Sequence, residues 1–275
     1  DPSDPPARLG EWLAGAGLEV GLHNLAAGDA LPEDLTGVAG LVVLGGGMGG
    51  ADDVEAPWLP AVRALLATAV ARELPTLGVC LGAQLLALAT GGRVGRNPDG
   101  PEFGAQLIAK RAATANDPLF KAMPITPDVI QWHYDAVLEL PPGAVLLASS
   151  PTCHVQAFRI GRLAWGIQFH LETTPQIVRG WAANDARMLA GYDVERLLAR
   201  SDAVHVDITE VWRPFAVSFA DVVRNPSSVP AARRMVSATA EPVTDAAAIR
   251  AALAAEMQAS RPPANSSPLP WPTAE

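Results

Sequence analysis

The chain has 275 residues, with 29 Asp+Glu against 20 Lys+Arg for a formal charge of −9, and 49% of its residues are hydrophobic. Such length and apolar content fit a globular protein with a sizeable core, whereas the acidic balance argues against a nucleic-acid partner, which needs a basic patch to neutralise phosphates. No stretch reaches the roughly 18 uninterrupted apolar residues of a membrane span, and two cysteines, Cys80 and Cys153, are too few for a disulfide framework or a Cys-rich zinc site, so a reducing, cytoplasmic setting is expected.

A first helix is expected to open at Asp4-Pro5-Pro6, with Asp4 as its N-cap, and to run through Leu9, Trp12 and Leu13 to Gly15 or Gly17. Short strands are predicted over 18–24, 38–44 and 75–79. Between the last two, residues 58–72 place Leu59, Val62, Leu65, Leu66 and Ala69 at helical spacing. Alternating strands and helices imply βαβ units and an α/β fold with a mainly parallel central sheet flanked by helices.

Beyond Gly91-Gly92 the pattern changes. Strands are predicted over 103–110, 129–132, 145–149, 155–160 and 163–169, separated by Pro/Gly turns. Helices follow over 175–189, 194–200 and 204–224, the last with Val204, Ile208, Val211, Phe215 and Val222 on one stripe. From Asn225 the chain is rich in Pro, Ala and Ser. We read 1–224 as one domain and 225–275 as a mobile tail with one helix over 245–258.

The most informative segment is Gly78-Val79-Cys80-Leu81-Gly82-Ala83-Gln84, where an apolar strand runs into Gly-x-Cys-x-Gly and then a helix-forming stretch. This is the cysteine form of a nucleophile elbow, a sharp strand-to-helix turn that holds a nucleophile above a parallel sheet. The helix N-terminus favours the thiolate, the reactive form. The alternative is a buried core cysteine beside two turn glycines.

A second segment, Gly166-Ile167-Gln168-Phe169-His170-Leu171-Glu172, is a strand ending in His-x-Glu. Two positions apart on an extended chain, His170 and Glu172 project to one side. A carboxylate there fixes the imidazole tautomer and supports its charged form, which is what a cysteine nucleophile needs of its base. A third segment, Leu44-Gly45-Gly46-Gly47-Met48, is another strand running into glycines. It lacks both the dinucleotide-binding fingerprint and the phosphate-loop Lys. Backbone amides aimed at a developing oxyanion are one reading; a plain flexible turn is the other.

In this order and spacing the three segments resemble the class I, triad-type glutamine amidotransferases, and within them the stand-alone relatives of the GMP synthase glutaminase domain. Gly100-Pro101-Glu102-Phe103-Gly104, Trp132-His133-Tyr134-Asp135 and Val155-Gln156-Ala157-Phe158-Arg159 carry the same resemblance, which spans about residues 8 to 190. It implies a flavodoxin-like three-layer fold. Cys80 would attack the γ-carboxamide of glutamine, His170 would act as base and acid, and Glu172 would orient it. Backbone amides of Leu81 and of Gly46 or Gly47 would hold the oxyanion, while Gln84, His133, Tyr134 and Asp135 would meet the substrate. Glu102 falls in a matching motif without an assigned role.

The family begins with an apolar strand ahead of the first helix, and this chain starts in the loop just before that helix, so the first strand is expected to be missing. Three functions stay open: a glutaminase that delivers ammonia to a synthetase subunit or other acceptor, a stand-alone γ-glutamyl hydrolase, and a silent regulatory or scaffold relative. Neither cofactor nor metal is expected, because no His/Cys/Asp cluster has ligand spacing along the chain. Cys153, His23, His154 and His205 are expected to be structural.

Overall fold

The computed structural model describes residues 3–32 and 34–230; the predicted helix over 245–258 and most of the predicted tail lie outside them. Helix α1, Ala7–Gly15, buries Leu9, Trp12 and Leu13 as expected, but its N-cap position is Pro6 and Asp4 does not cap it. A proline disfavours helical dihedrals in the residue before it. Pro5 and Pro6 therefore keep Asp4 out of the first turn, and its carboxylate lies instead against Gly45.

No strand forms over 18–24. Val20 and Leu22 are exposed there and no neighbouring strand pairs with them; alternation of residue types is not enough without a ladder to join. The first strand is β1, Leu41–Val43. Helix α2, Leu59–Ala71, buries all five residues of the predicted stripe. Strand β2, Thr76–Val79, is wholly buried and leads into α3, Leu81–Ala89.

The second half is built from β3 (Arg93–Arg96), β4 (Glu102–Leu107), β5 (Ala109–Lys110), β6 (Asp128–His133), β7 (Asp135–Glu139), β8 (Val145–Ser149), β9 (Ala157–Ile160) and β10 (Ala164–Ile167). The six-stranded sheet runs β1-β2-β10-β9-β8-β5. Pairing is parallel from β1 to β2 and from β2 to β10, and antiparallel across the other three contacts. The sheet is thus mixed. Its antiparallel half follows from chain economy: only residues 161–163 join β9 to β10, too few for the crossover a parallel neighbour requires. Two antiparallel ribbons, β3 with β7 and β4 with β6, stand apart from this sheet. Among the described residues no strand precedes α1, and β1 is one edge of the sheet.

Helix α4 spans Pro175–Asn184, with Thr174 as its cap, and α5 runs unbroken over Val194–Arg224. The break predicted near 201–203 does not occur. Ser201, in that stretch, satisfies its hydroxyl by donating to the Leu197 carbonyl one turn back (2.8 Å). Trp165, Phe169, Phe215 and Phe219 pack α1 and α5 on one face of the sheet, while Leu59, Leu66, Leu85 and Phe158 pack α2 and α3 on the other. Each such fully buried side chain contributes about 1.5–3 kcal/mol relative to exposure. The packed chain continues past α5: Val229 is buried, and Arg162 donates to its carbonyl at 3.0 Å. No helix among the described residues is long and apolar enough to cross a membrane.

Candidate active site

The turn between β2 and α3 puts Cys80 at φ +51°, ψ −108°, in a region where L-residues are strained. Its amide is tied to the Ile167 carbonyl at 2.8 Å, which locks the turn to β10. Close approach explains the flanking glycine: a Cβ on Gly82 would stand 1.9 Å from the Val43 carbonyl oxygen of β1. The sulfur is buried, donates towards the Trp132 carbonyl (3.9 Å) and receives the Gln168 amide (3.6 Å).

His170 follows β10 and is held by a bridge to Ile130, its amide donating to that carbonyl at 2.8 Å. Its Nδ1 hydrogen goes to Glu172 Oε1 at 2.6 Å, and the other Glu172 oxygen accepts the Leu171 amide at 2.9 Å. Trp181 packs on the imidazole with ring centroids 4.6 Å apart. Nε2 of His170 is buried with no hydrogen-bond partner among the described residues. Burial alone would lower the His170 pKa, yet the charges of Glu172 and Cys80 raise it well above the usual imidazole value.

The glycine loop after β1 closes the other side. A Cβ on Gly45 would meet Asp4 Oδ1 at 2.7 Å and His170 Cε1 at 3.1 Å, so the imidazole fits only against a bare backbone. The backbone amides of Gly46 and Gly47 find no partner among the described residues. Both glycines and Leu81, the first residue of α3, line the cleft into which Cys80 opens. That cleft has a volume of about 410 Å³.

Gln84, His133, Tyr134 and Asp135 also reach the cleft, but differently. Gln84 is buried, donating to the Asp135 carbonyl (3.0 Å) and Gln168 Oε1 (3.2 Å). The His133 ring is engaged at both nitrogens, with the Asp135 carbonyl and with Glu102. Tyr134 stands edge-on to Phe103 with Arg96 over its ring; burial and then the Asp185 carboxylate push its phenol far up. Asp135 Oδ1 is buried without a hydrogen bond and lies 3.4 Å from Arg96 Nε. Trp181, Asp185, Arg96, Asp4 and Gln168 carry no sequence signal that marks them as site residues. Only Gln168 lies within the segment that ends in His-x-Glu, and its amide reaches the sulfur from the position directly after β10.

One group spaced far apart along the chain converges in space. Ligand atoms of Glu102, His133 and Cys153 lie within 4.8 Å of one another, all buried. Burial, followed by the Glu102 charge, pushes the Cys153 thiol up to about 12, and its sulfur donates to the Val155 carbonyl at 3.6 Å. Glu102 already faces hydrogen-bond donors from Ser150, Thr152, Gln156 and His133. Those donors fit a hydrogen-bonded carboxylate better than a ligand for a cation.

Comparison with known proteins bears on this site. A family model for the class-I glutamine amidotransferases matches residues 15–180. Over 101 residues the chain is 43% identical to a glutamine-hydrolyzing GMP synthase subunit of Thermococcus kodakarensis, a match that covers 36% of this chain and 52% of that one. The chain therefore spans about half the length of that relative. Over 107 residues it is 37% identical to gamma-glutamyl peptidase 3 of Arabidopsis thaliana, covering 37% of this chain and 42% of the peptidase. A crystal structure of a glutamine amidotransferase from Methylobacillus flagellatus superposes with a TM-score of 0.71 at 28% identity, covering 86% of this chain and 94% of that one.

Proposed function

The chain belongs to the class I glutamine amidotransferase family, and from that premise we propose that it hydrolyses the γ-amide of glutamine through a thioester on Cys80 and hands the ammonia to an acceptor enzyme. One observation carries the reading: a buried cysteine on a positive-φ elbow beside an imidazole whose Nδ1 is bonded to Glu172 and whose Nε2 is unspent. That is the nucleophile, base and orienter arrangement of covalent acyl transfer.

In this mechanism the raised pKa of His170 favours the ion pair in which Nε2 has taken the thiol proton. The thiolate adds to the γ-carbonyl carbon. The oxyanion formed there is met by the amides of Leu81 and of Gly46 or Gly47, which are fixed by the backbone before the reaction begins. His170 returns its proton to the departing nitrogen, releasing ammonia and leaving the thioester. It then takes a proton from water as that water attacks, and gives it back to sulfur when glutamate leaves. The carboxylate of Asp135 receives the substrate α-ammonium, and Arg96 beside it suits the α-carboxylate.

A second reading is hydrolysis of a γ-glutamyl amide with a larger amine. It is favoured by the extent of the cleft, which continues past Cys80 to Trp181 and Met188 and falls within the size range of sites for drug-sized ligands. The test is to measure ammonia from glutamine and amine from γ-glutamyl amides of increasing size, beside a Cys80→Ser control. Preference for glutamine supports the first reading; release only of larger amines supports the second. Cys80-independent release sinks both.

A further inference from the structure

We propose that Glu102 and His133 form a second histidine–carboxylate pair, one that transfers no proton and instead positions the substrate wall of the cleft. The proposal rests on the reading that Gln84 and Asp135 meet a γ-glutamyl substrate.

Hydrogen-bond chemistry fixes the pair's protons. A carbonyl oxygen only accepts, so the 2.9 Å contact from His133 Nδ1 to the Asp135 carbonyl puts a hydrogen on Nδ1. Glu102 Oε1 receives the Ser150 and Thr152 hydroxyls, and Oε2 receives the Gln156 amide at 2.7 Å. With three donors besides His133 and its pKa lowered, Glu102 is ionised, so the 2.8 Å contact at Oε2 puts a second hydrogen on His133 Nε2. The imidazole is then a cation with both hydrogens committed, buried beside its counter-ion. Burial would raise the Glu102 carboxyl, but His133, with help from Thr152 and Ser150, holds it below the ordinary carboxylate range. Ionisable groups near His133 include Cys153 from the loop after β8, which Asp99 also faces, the chain neighbour Tyr134, and Asp135 on β7, the last facing Arg96 on β3.

What the pair holds is the cleft. The Asp135 carbonyl fixed by His133 also accepts the Gln84 amide, Gln84 bonds Gln168, and Gln168 bonds the Cys80 sulfur. A continuous hydrogen-bonded path thus runs from a buried carboxylate on β4 to the nucleophile through two substrate-facing residues. From the other side, Asn97 ties the Tyr134 carbonyl to the Thr152 and Gly100 carbonyls, closing the loop around Glu102. With both nitrogens spent, His133 has no proton to exchange with substrate. Its role is positioning.

The test pairs nitrogen-15 NMR of the His133 ring and the Gln84 side-chain amide with kinetics of E102Q. Under the conditions of the kinetics the wild-type protein is expected to show hydrogens on both His133 nitrogens; a single protonated nitrogen overturns the proposal and needs no variant. E102Q is expected to leave one, to broaden the Gln84 amide, and to raise KM for the preferred γ-glutamyl substrate by about tenfold. Alkylation of its Cys80 by iodoacetamide should stay within about twofold of wild type. A lowered melting temperature with the Gln84 amide and KM unchanged would make Glu102 merely structural and overturn positioning. If the wild type hydrolyses no γ-glutamyl amide, the functional reading fails by that result, while the spectra still decide the pair and its hold on Gln84.

Discussion

Among the described residues there are two buried histidine–carboxylate pairs, and they differ in what the second ring nitrogen does. In His170–Glu172 the residues are two positions apart on one extended segment, Nδ1 is bonded, and Nε2 is left without a partner. In His133–Glu102 they come from facing strands, 31 positions apart, and both nitrogens are engaged. An imidazole with one nitrogen spare beside a thiol is equipped to move a proton; one with both nitrogens committed can only hold its neighbours in place. The same two residue types thus leave one imidazole free to move a proton and the other committed, and the difference is one hydrogen bond.

The largest expected effect comes from removing what the first pair acts on. Cys80→Ser should lower amide hydrolysis by about a thousandfold or more, while its melting temperature stays within about 2 °C and the His133 spectrum does not move. Near-wild-type turnover would leave His170–Glu172 without a purpose. Glu172→Gln should be next, with kcat falling about a hundredfold because the imidazole loses the group that sets its tautomer. KM should change little, the reverse of the pattern expected for E102Q.

Stability against pH separates the pairs in a third way. A histidine whose folded pKa is raised contributes stability below its unfolded value and loses it as pH climbs through the folded value. The melting advantage of the wild type over Glu172→Gln should therefore shrink on the alkaline side. Glu102 is lowered, so its contribution is present above the unfolded carboxyl value and disappears in acid. The advantage over E102Q should shrink there instead, and thermal melts of the three proteins from pH 4 to pH 9 check both signs. Smallest of all should be Tyr134→Phe. Its hydroxyl is buried without a hydrogen bond of good geometry, so its loss should change stability by less than about 1 kcal/mol and KM by less than about twofold.

The legibility of the two pairs in sequence follows the same contrast. His170–Glu172 and the Cys80 elbow were readable because their geometry is local: an i, i+2 spacing and a Gly-x-Cys-x-Gly after an apolar strand. Glu102 had no readable role because its partners lie 31, 48, 50 and 54 positions away. The fold divides likewise. The α2 stripe and the strand–elbow–helix unit were plain from periodicity. By contrast, β3 is a short ribbon strand with charged, exposed ends, and the direction of β9 against β10 depends on a turn length that hydrophobic pattern does not encode. Residues 18–24 mimicked a strand because alternation reports which sides are apolar, without reporting whether a neighbour exists to pair with.

The positive φ of Cys80 also bears on stability. A side chain held in such a conformation costs about 1–3 kcal/mol, a sizeable part of the 5–15 kcal/mol by which a typical domain stays folded. Glycine adopts that backbone freely, at about 1 kcal/mol of added freedom in the unfolded chain. A directed-evolution campaign scored only on heat tolerance would therefore tend to drift towards glycine at position 80, enriching sturdier and inert descendants. Under the proposed thioester mechanism, selection for turnover would have to accompany selection for robustness, because at this residue the two pull in opposite directions.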